Sequence, residues 1–170
     1  ARAMPIDPAL IQPAAYRPFD TRYHYRHDAY NDRLRPELQR VWGGQNICLF
    51  ALPSGTGGGP AVWCHGDLPD RHAFRGSYGG YAFPLHDRRP ESAGPNVSAA
   101  LLGGLAAAYG VAVTPDEVVD AILCLLSARS YSLRFAEDLE DVFPHVPFPA
   151  DHAVFVRAAQ LGARLRRVQT

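Results

Sequence analysis

The chain has 170 residues, 17 basic against 17 acidic side chains, 47% hydrophobic residues and three cysteines, which is one domain's length with the apolar and charged fractions of a globular protein. No apolar run reaches the roughly 18 residues of a membrane span, and the start, Ala1-Arg2-Ala3-Met4-Pro5, has no basic-then-apolar leader pattern, so the sequence reads as neither membrane-bound nor secreted. Zero net charge argues against a large uniformly basic surface, and Cys48, Cys64 and Cys124, with no C-x-x-C and no even set, read as thiols of a cytoplasmic protein.

All 17 basic residues are Arg, a bias that GC-rich codon usage produces. Residues 1–95 carry 11 Arg against 9 acids, and residues 96–170 carry 6 against 8, so an anion is expected in the first part. There Pro5, Pro8 and Pro13 predict an extended lead-in over residues 1–15. Tyr23 and Tyr25 alternate with Arg22, His24 and Arg26, the pattern of a strand with one aromatic face. Pro36 to Trp42 reads as a short helix opened by proline and stopped by Gly43-Gly44. Strands are predicted at residues 46–52, 61–64 and 81–85, with a flexible connection from Pro53 to Pro60 and a long polar loop over residues 66–80.

After Pro95 the period becomes helical. Asn96 is placed to cap a helix running to Tyr109, with Val97, Leu101, Leu105 and Ala108 on one face and Gly110 as its stop. Thr114-Pro115-Asp116-Glu117 predicts a capping box with proline in the first turn. The helix it opens carries Val118, Val119, Ile122, Leu123, Leu125 and Leu126, and should be the central buried one. A third helix is predicted from Ser130 to Glu140, with Tyr131, Phe135 and Leu139 in line. Pro144, Pro147 and Pro149 then enforce extended chain, and Asp151 caps a last helix with Val154, Phe155, Ala158, Leu161 and Leu165. The fold class is therefore α+β, in a single domain over residues 1–170. After the lead-in, a β-rich half with long loops (16–95) packs on a bundle of about four helices (96–170).

Catalysis leaves clusters of reactive groups, and none is found. The glycines at 55–59 lack the Lys-Ser/Thr pair of a phosphate loop, Ser54 and Ser77 do not fit G-x-S-x-G, and Cys64-His65 on a strand point to opposite faces, which disfavours a metal and reads as a buried thiol beside a solvated imidazole. Binding has better candidates. Residues 16–42 hold six Arg, two His, four Tyr, one Phe and one Trp, a mixture suited to phosphate contacts and base stacking; Arg26, Arg33 and Arg35 are its candidate DNA contacts. In the 66–80 loop Arg71, His72, Arg75, Ser77 and Tyr78 form a second set, since Arg grips a guanine edge with two donors and the others reach phosphates or bases.

Five segments in order then point to a family: Tyr16-Arg17-Pro18-Phe19-Asp20-Thr21-Arg22-Tyr23, Arg33-Leu34-Arg35-Pro36-Glu37, Tyr81-Ala82-Phe83-Pro84-Leu85, Pro95-Asn96, and Asp141-Val142-Phe143-Pro144-His145-Val146-Pro147. Together they resemble the C-terminal specificity domain of Type ISP restriction–modification enzymes, over residues 16–165. The departures are His24-Tyr25-Arg26 where a tyrosine pair is usual, His145 where arginine is usual, and His86 after Phe83-Pro84-Leu85.

The resemblance implies a non-catalytic target recognition domain that binds double-stranded DNA, probed by loops on a rigid scaffold. It further implies that this chain is a piece of a larger adenine methyltransferase or restriction enzyme. S-adenosylmethionine would then bind in the parent's methyltransferase domain, which would be the partner of this one. No cofactor and no small-molecule substrate is expected for this chain itself. Arg17, Asp20 and Arg22 lie in the generic motif and are expected to hold the fold or the DNA backbone. The rival reading is a protein–protein docking module without DNA binding; a third is a hydrolase or transferase with an unrecognised site. A DNA reader should gather the arginines of residues 16–42 and 71–78 on one concave face, whereas a docking module should expose an apolar patch.

Overall fold

The computed structural model describes residues 5–31, 34, 36, 41, 46–56, 59–73 and 79–170. Its chemistry is mixed α+β as expected, with small sheets first and helices after residue 98. The predicted helix from Pro36 to Trp42 lies mostly outside the described residues.

Strand β1 (Ile11–Arg17) pairs antiparallel with β2 (Asp20–Tyr25), and on its other side parallel with β5 (Leu68–Pro69). Two corrections to the sequence reading follow. The lead-in is in part a central strand, and the 66–80 loop contains a strand of its own. Pro13 hid β1, because proline is disfavoured inside a sheet. It is tolerated here because it faces the same side as Ala15, whose carbonyl accepts from the Asp70 amide at 2.8 Å, and β5 pairs only with Ala14 and Ala15. Pro13 thus lies beyond the reach of β5, and the donor it lacks has no ladder to serve.

Strand β3 (Cys48–Ala51) is the centre of a second sheet, antiparallel to β4 (Val62–His65) and to β6 (Tyr81–Pro84). All four of its residues are buried, because both faces of the sheet are covered. Ile47, Leu49, Ala51, Val62 and Cys64 meet Val119, Leu123 and Leu126 of the helical half. On the other face Phe50 and Leu52 pack with Ala73 of the long loop. Gly80 lies against the Phe50 ring so closely that a Cβ there would stand 2.1 Å from Cζ. The loop is therefore seated on the sheet by an aromatic ring and a glycine that makes room for it.

Two-sided cover also corrects the reading of His65 as solvated. It is 3% exposed, and its Nε2 finds no hydrogen-bond partner among the described residues. Burial lowers its pKa to about 4. Because the folded value lies below the unfolded value of about 6.5, the stability this neutral imidazole contributes is present above pH 6.5 and lost as pH falls towards 4. The shift corresponds to about 3 kcal/mol. Urea unfolding between pH 7 and 4 should show this slope, and His65→Phe should flatten it; parallel slopes would refute the assignment. Burial likewise pushes the Cys64 thiol up to about 12, so it stays protonated and inert.

Helix α1 (Ala99–Tyr109) starts after Ser98, whose side chain makes no capping hydrogen bond, rather than after Asn96, and ends at Gly110 in the left-handed conformation (φ 71°). Asn96 is used elsewhere: its amide group donates to the Pro84 carbonyl and its backbone N–H to that of Leu85. Leu105 is the buried residue of α1, and Leu101 is exposed. Helix α2 (Pro115–Ser127) opens with the predicted capping box: Thr114 Oγ1 accepts from the Glu117 amide at 3.2 Å, and Glu117 Oε2 accepts from that of Thr114 at 2.8 Å. It is the central helix, burying Val118, Val119, Ala121, Leu123 and Leu126.

The single helix predicted from Ser130 to Glu140 is two, α3 (Arg129–Arg134) and α4 (Asp138–Asp141), parted by a turn after Phe135. Tyr131, Phe135 and Leu139 still reach the same core. The glycine-rich connection after β3 is tethered here, since the Gly55 amide donates to the Leu139 carbonyl and the Ser132 hydroxyl to that of Gly59. Helix α5 (His152–Gln169) is capped by Asp151, as predicted. It buries Phe155, Ala158, Ala159 and Gly162 and leaves Val154 and Leu161 outside. Gly162 touches the backbone of α2 at Asp120. One turn on, Arg166 donates twice to the buried Asp120 carboxylate, each bond 2.8 Å.

Candidate functional site

The β1–β2 hairpin and the 66–80 loop lie far apart in sequence, and β5 brings them together. Asp70, the residue after β5, is the meeting point. Its Oδ1 accepts from the His72 amide at 2.7 Å and its carbonyl from the Ala73 amide at 3.0 Å, which bends the chain away from the strand. Arg17 Nη1 stands 3.9 Å and His72 Nδ1 3.8 Å from the same oxygen. At the neck of the loop the Gly80 amide donates to the Arg71 carbonyl at 2.7 Å, and the Arg71 side chain lies over Gly79, which adopts φ +63°. Arg71 and His72 are thereby held at the base of the loop, and His72 shares the Asp70 carboxylate with Arg17.

On the hairpin a bulge sets Tyr16 apart: Ala15 faces Thr21 and Arg17 faces Asp20, so Tyr16 has no partner in the register. Its ring lies beneath two guanidinium groups, Arg17 at 4.1 Å and Arg22 at 5.2 Å. Arg22 also donates to both carboxylate oxygens of Asp20, at 2.9 and 3.0 Å. Those hydrogen bonds hold the Asp20 carboxyl below, and the Arg22 guanidinium above, its ordinary pKa. Arg17 donates instead to the Tyr16 carbonyl at 2.8 Å and turns towards Asp70.

Arg26, at the far end of β2, donates across the hairpin to Gln12 Oε1. Beside it Tyr25, His27 and Tyr30 form a small stack, with Tyr25 and His27 rings parallel at 5.9 Å. Arg33, Arg35, Arg75, Ser77 and Tyr78 lie outside the described residues. Of the candidates that are described, the fold links Arg17, Asp20, Arg22 and His72 through Tyr16 and Asp70, holds Arg71 over Gly79 at the neck of the loop, and sets Arg26 at the other end of the hairpin.

Sequence reasoning missed Asp70, Tyr16 and Phe19. Asp70 precedes a helix-like turn by the spacing that Asx turns use, a signal present in the sequence; Tyr16 needed the bulge to be known. Phe19 forms the hairpin turn with Pro18 and is the one non-glycine residue with positive φ (60°) among the described residues. That conformation costs about 1–2 kcal/mol for an L-residue. The ring meets Trp63 edge-on at 4.9 Å, a contact that contributes about 0.5–1.5 kcal/mol, so the two roughly cancel.

Elsewhere Tyr81 and Phe83 of β6 stand outward with Phe143, ring centroids 5.9–6.5 Å apart, as an exposed aromatic patch. Among the described residues no group of three or more His, Cys, Asp or Glu is placed to hold a metal ion, and no helix is long and apolar enough to cross a membrane.

The family model for the Type ISP C-terminal specificity domain matches residues 2–170. No curated protein sequence matches. Among solved structures, a cryo-electron microscopy structure of a DrdV–DNA complex is similar with TM-score 0.80 at 19% identity, over 99% of this chain and 16% of that one. A nuclease-deletion mutant of the Type ISP restriction–modification enzyme LlaGI in complex with a DNA substrate mimic gives TM-score 0.72 at 19% identity, over 99% and 14%. The ATP-dependent Type ISP restriction–modification enzyme LlaBIII bound to DNA gives 0.72 at 19% identity, over 94% and 11%. At this identity the likeness is one of fold. The chain spans 16% or less of the length of each of these three proteins.

Proposed function

Since the chain belongs to the Type ISP C-terminal specificity domain family, we propose that it is the target-reading part of a larger DNA-modifying enzyme, binding double-stranded DNA through the hairpin and the 66–80 loop and carrying no catalysis itself. The observation that supports this best is the convergence on Asp70: β5 sets Arg17 of the hairpin and His72 of the loop against the same carboxylate oxygen. Loops on a rigid sheet can enter a groove while their neighbours grip phosphates. Arg71 and His72, with Arg75, Ser77 and Tyr78 of the same segment, would read bases. Arg17 and Arg22, committed to Tyr16, Asp20 and Asp70, would set the register. In the parent, S-adenosylmethionine and the methyl transfer would belong to a methyltransferase region, which this domain would serve by holding the target while the adenine is extruded.

Arg71→Ala in the full-length protein should cost about 1–3 kcal/mol on the target site and relax the preference at one base pair, if the guanidinium meets a guanine. Competition binding with single-base variants of the site measures both. Equal weakening of all sequences, with a salt slope smaller by about one unit, would make Arg71 a phosphate contact. Unchanged affinity and preference for Arg71→Ala and Arg75→Ala would place the reading surface elsewhere.

The docking reading has one observation in its favour, the Tyr81–Phe83–Phe143 patch. It lies next to α4, whose residues Asp138, Glu140 and Asp141 are acidic, and acidic surroundings repel a phosphate backbone. A protein surface is the chemistry that suits it, which is compatible with a reading domain held against the rest of its parent.

A further inference from the structure

In the hairpin turn Arg17 is paired with Asp20, so Pro18 and Phe19 make the whole connection. Pro18 fixes its own φ near −65°, and Phe19 follows at φ +60°. This is the pattern of a type II turn, whose third position favours Gly or Asn because a side chain there crowds the neighbouring carbonyl. A phenylalanine in that place is strained, and it is 71% exposed. Its edge contact with Trp63 does no more than offset the strain. The fold therefore gains nothing by having a large ring at this point.

Glycine would make the same turn without strain, so the ring must be sought in function, as strained and exposed positions often are. Its neighbours indicate the partner. Arg17 and Arg22 flank it in the chain and both lie against the Tyr16 ring, and Asp20, the acid closest in sequence, is neutralised by two hydrogen bonds from Arg22. An apolar protein surface would be met by further aliphatic groups. A projecting aromatic ring set among guanidinium groups suits a polyanion whose units carry flat or apolar faces.

We propose that Phe19 is a DNA-contact residue: its ring packs on a deoxyribose of the bound duplex, or wedges at the edge of a base step, while Arg17 and Arg22 engage the phosphates beside it. This rests on the DNA-reading function proposed above and adds a contact that is independent of sequence, because every nucleotide carries the same sugar.

The test is Phe19→Gly in the full-length protein, with Phe19→Tyr as the conservative variant. Phe19→Gly should leave the thermal midpoint unchanged or raise it, while affinity for duplex falls about ten- to hundredfold, as loss of a buried phenyl ring gives, on target and non-target sequences alike. The slope of log affinity against log salt should not change, because no charge is lost; Phe19→Tyr should bind as the parent does. Wild-type affinity in Phe19→Gly would overturn the proposal, and with a lowered midpoint it would assign the ring to the Trp63 contact. A reduced salt slope would equally overturn it, by tracing the loss to displaced arginines. If the unaltered protein itself bound no duplex, the DNA-reading function would fall too; wild-type binding with an unaffected glycine variant removes only the role of Phe19.

Discussion

Gly162→Ala is expected to destabilise the protein by about 3 kcal/mol or more, read as a fall in the urea midpoint. The added Cβ would stand 1.7 Å from the Asp120 carbonyl oxygen and 2.4 Å from its carbon. These are backbone atoms of α2, so no side-chain rotation relieves the overlap and the two helices must separate. Separation pulls Arg166 from the buried Asp120 carboxylate, and strains the bond from the Cys64 amide to Gln169 Oε1 that ties the end of α5 to the edge of β4. Overpacking alone typically costs about 1–3 kcal/mol, more where it cannot relax, and breaking one side of a buried pair adds to it. Alanine's better helix propensity returns only about 1 kcal/mol. A midpoint within error of the parent would mean that the helices do not cross at this residue.

Leu123→Ala should cost about 2–5 kcal/mol, from lost burial and the cavity left behind. The side chain is 0% exposed and belongs to the cluster where α2 covers the β3 sheet, so neighbours from two layers would have to move to fill the space. Arg167→Ala, on the exposed side of α5, should cost less than about 0.5 kcal/mol. Equal shifts for the two would contradict the placement of Leu123 at the junction of helix and sheet.

The helical half was legible because its signals are local. Thr114 and Glu117, Asp151 and Gly110 each lie within a turn of the backbone groups they satisfy, and the apolar breadth of α2 needs no knowledge of its partner. Asn96 misled because a capping residue type is also a good side-chain clamp: its side-chain amide donates to the Pro84 carbonyl instead of the side chain lying over a helix end. Val154 and Leu161 misled because α5 buries small residues against α2; the tight approach at Gly162 favours Ala158 and Ala159 over branched side chains. The β-rich half was harder for the same reason in reverse. Strand β1 becomes central only through a second partner more than fifty residues away, and its proline argues against a strand unless that partner's short reach is known. Of the candidate site, the residue types in the two arginine-bearing segments were visible, but their meeting at Asp70 depends on that long-range pairing.

Burial is unevenly shared between the two three-stranded sheets. Every residue of β3 is buried, whereas β1 and β2 together bury only Ala15. Resistance to local opening follows buried apolar contact, and elements with little of it open far more cheaply than the core. The hairpin that carries Arg17, Phe19 and Arg22 is therefore a low-stability unit hinged through β5 to a high-stability body. A ligand seated on it bears the entropy of holding it still, so a mutation in the core and a mutation in the hairpin act on different equilibria: one on whether the protein is folded, the other on what fraction of folded molecules presents a binding-ready arm.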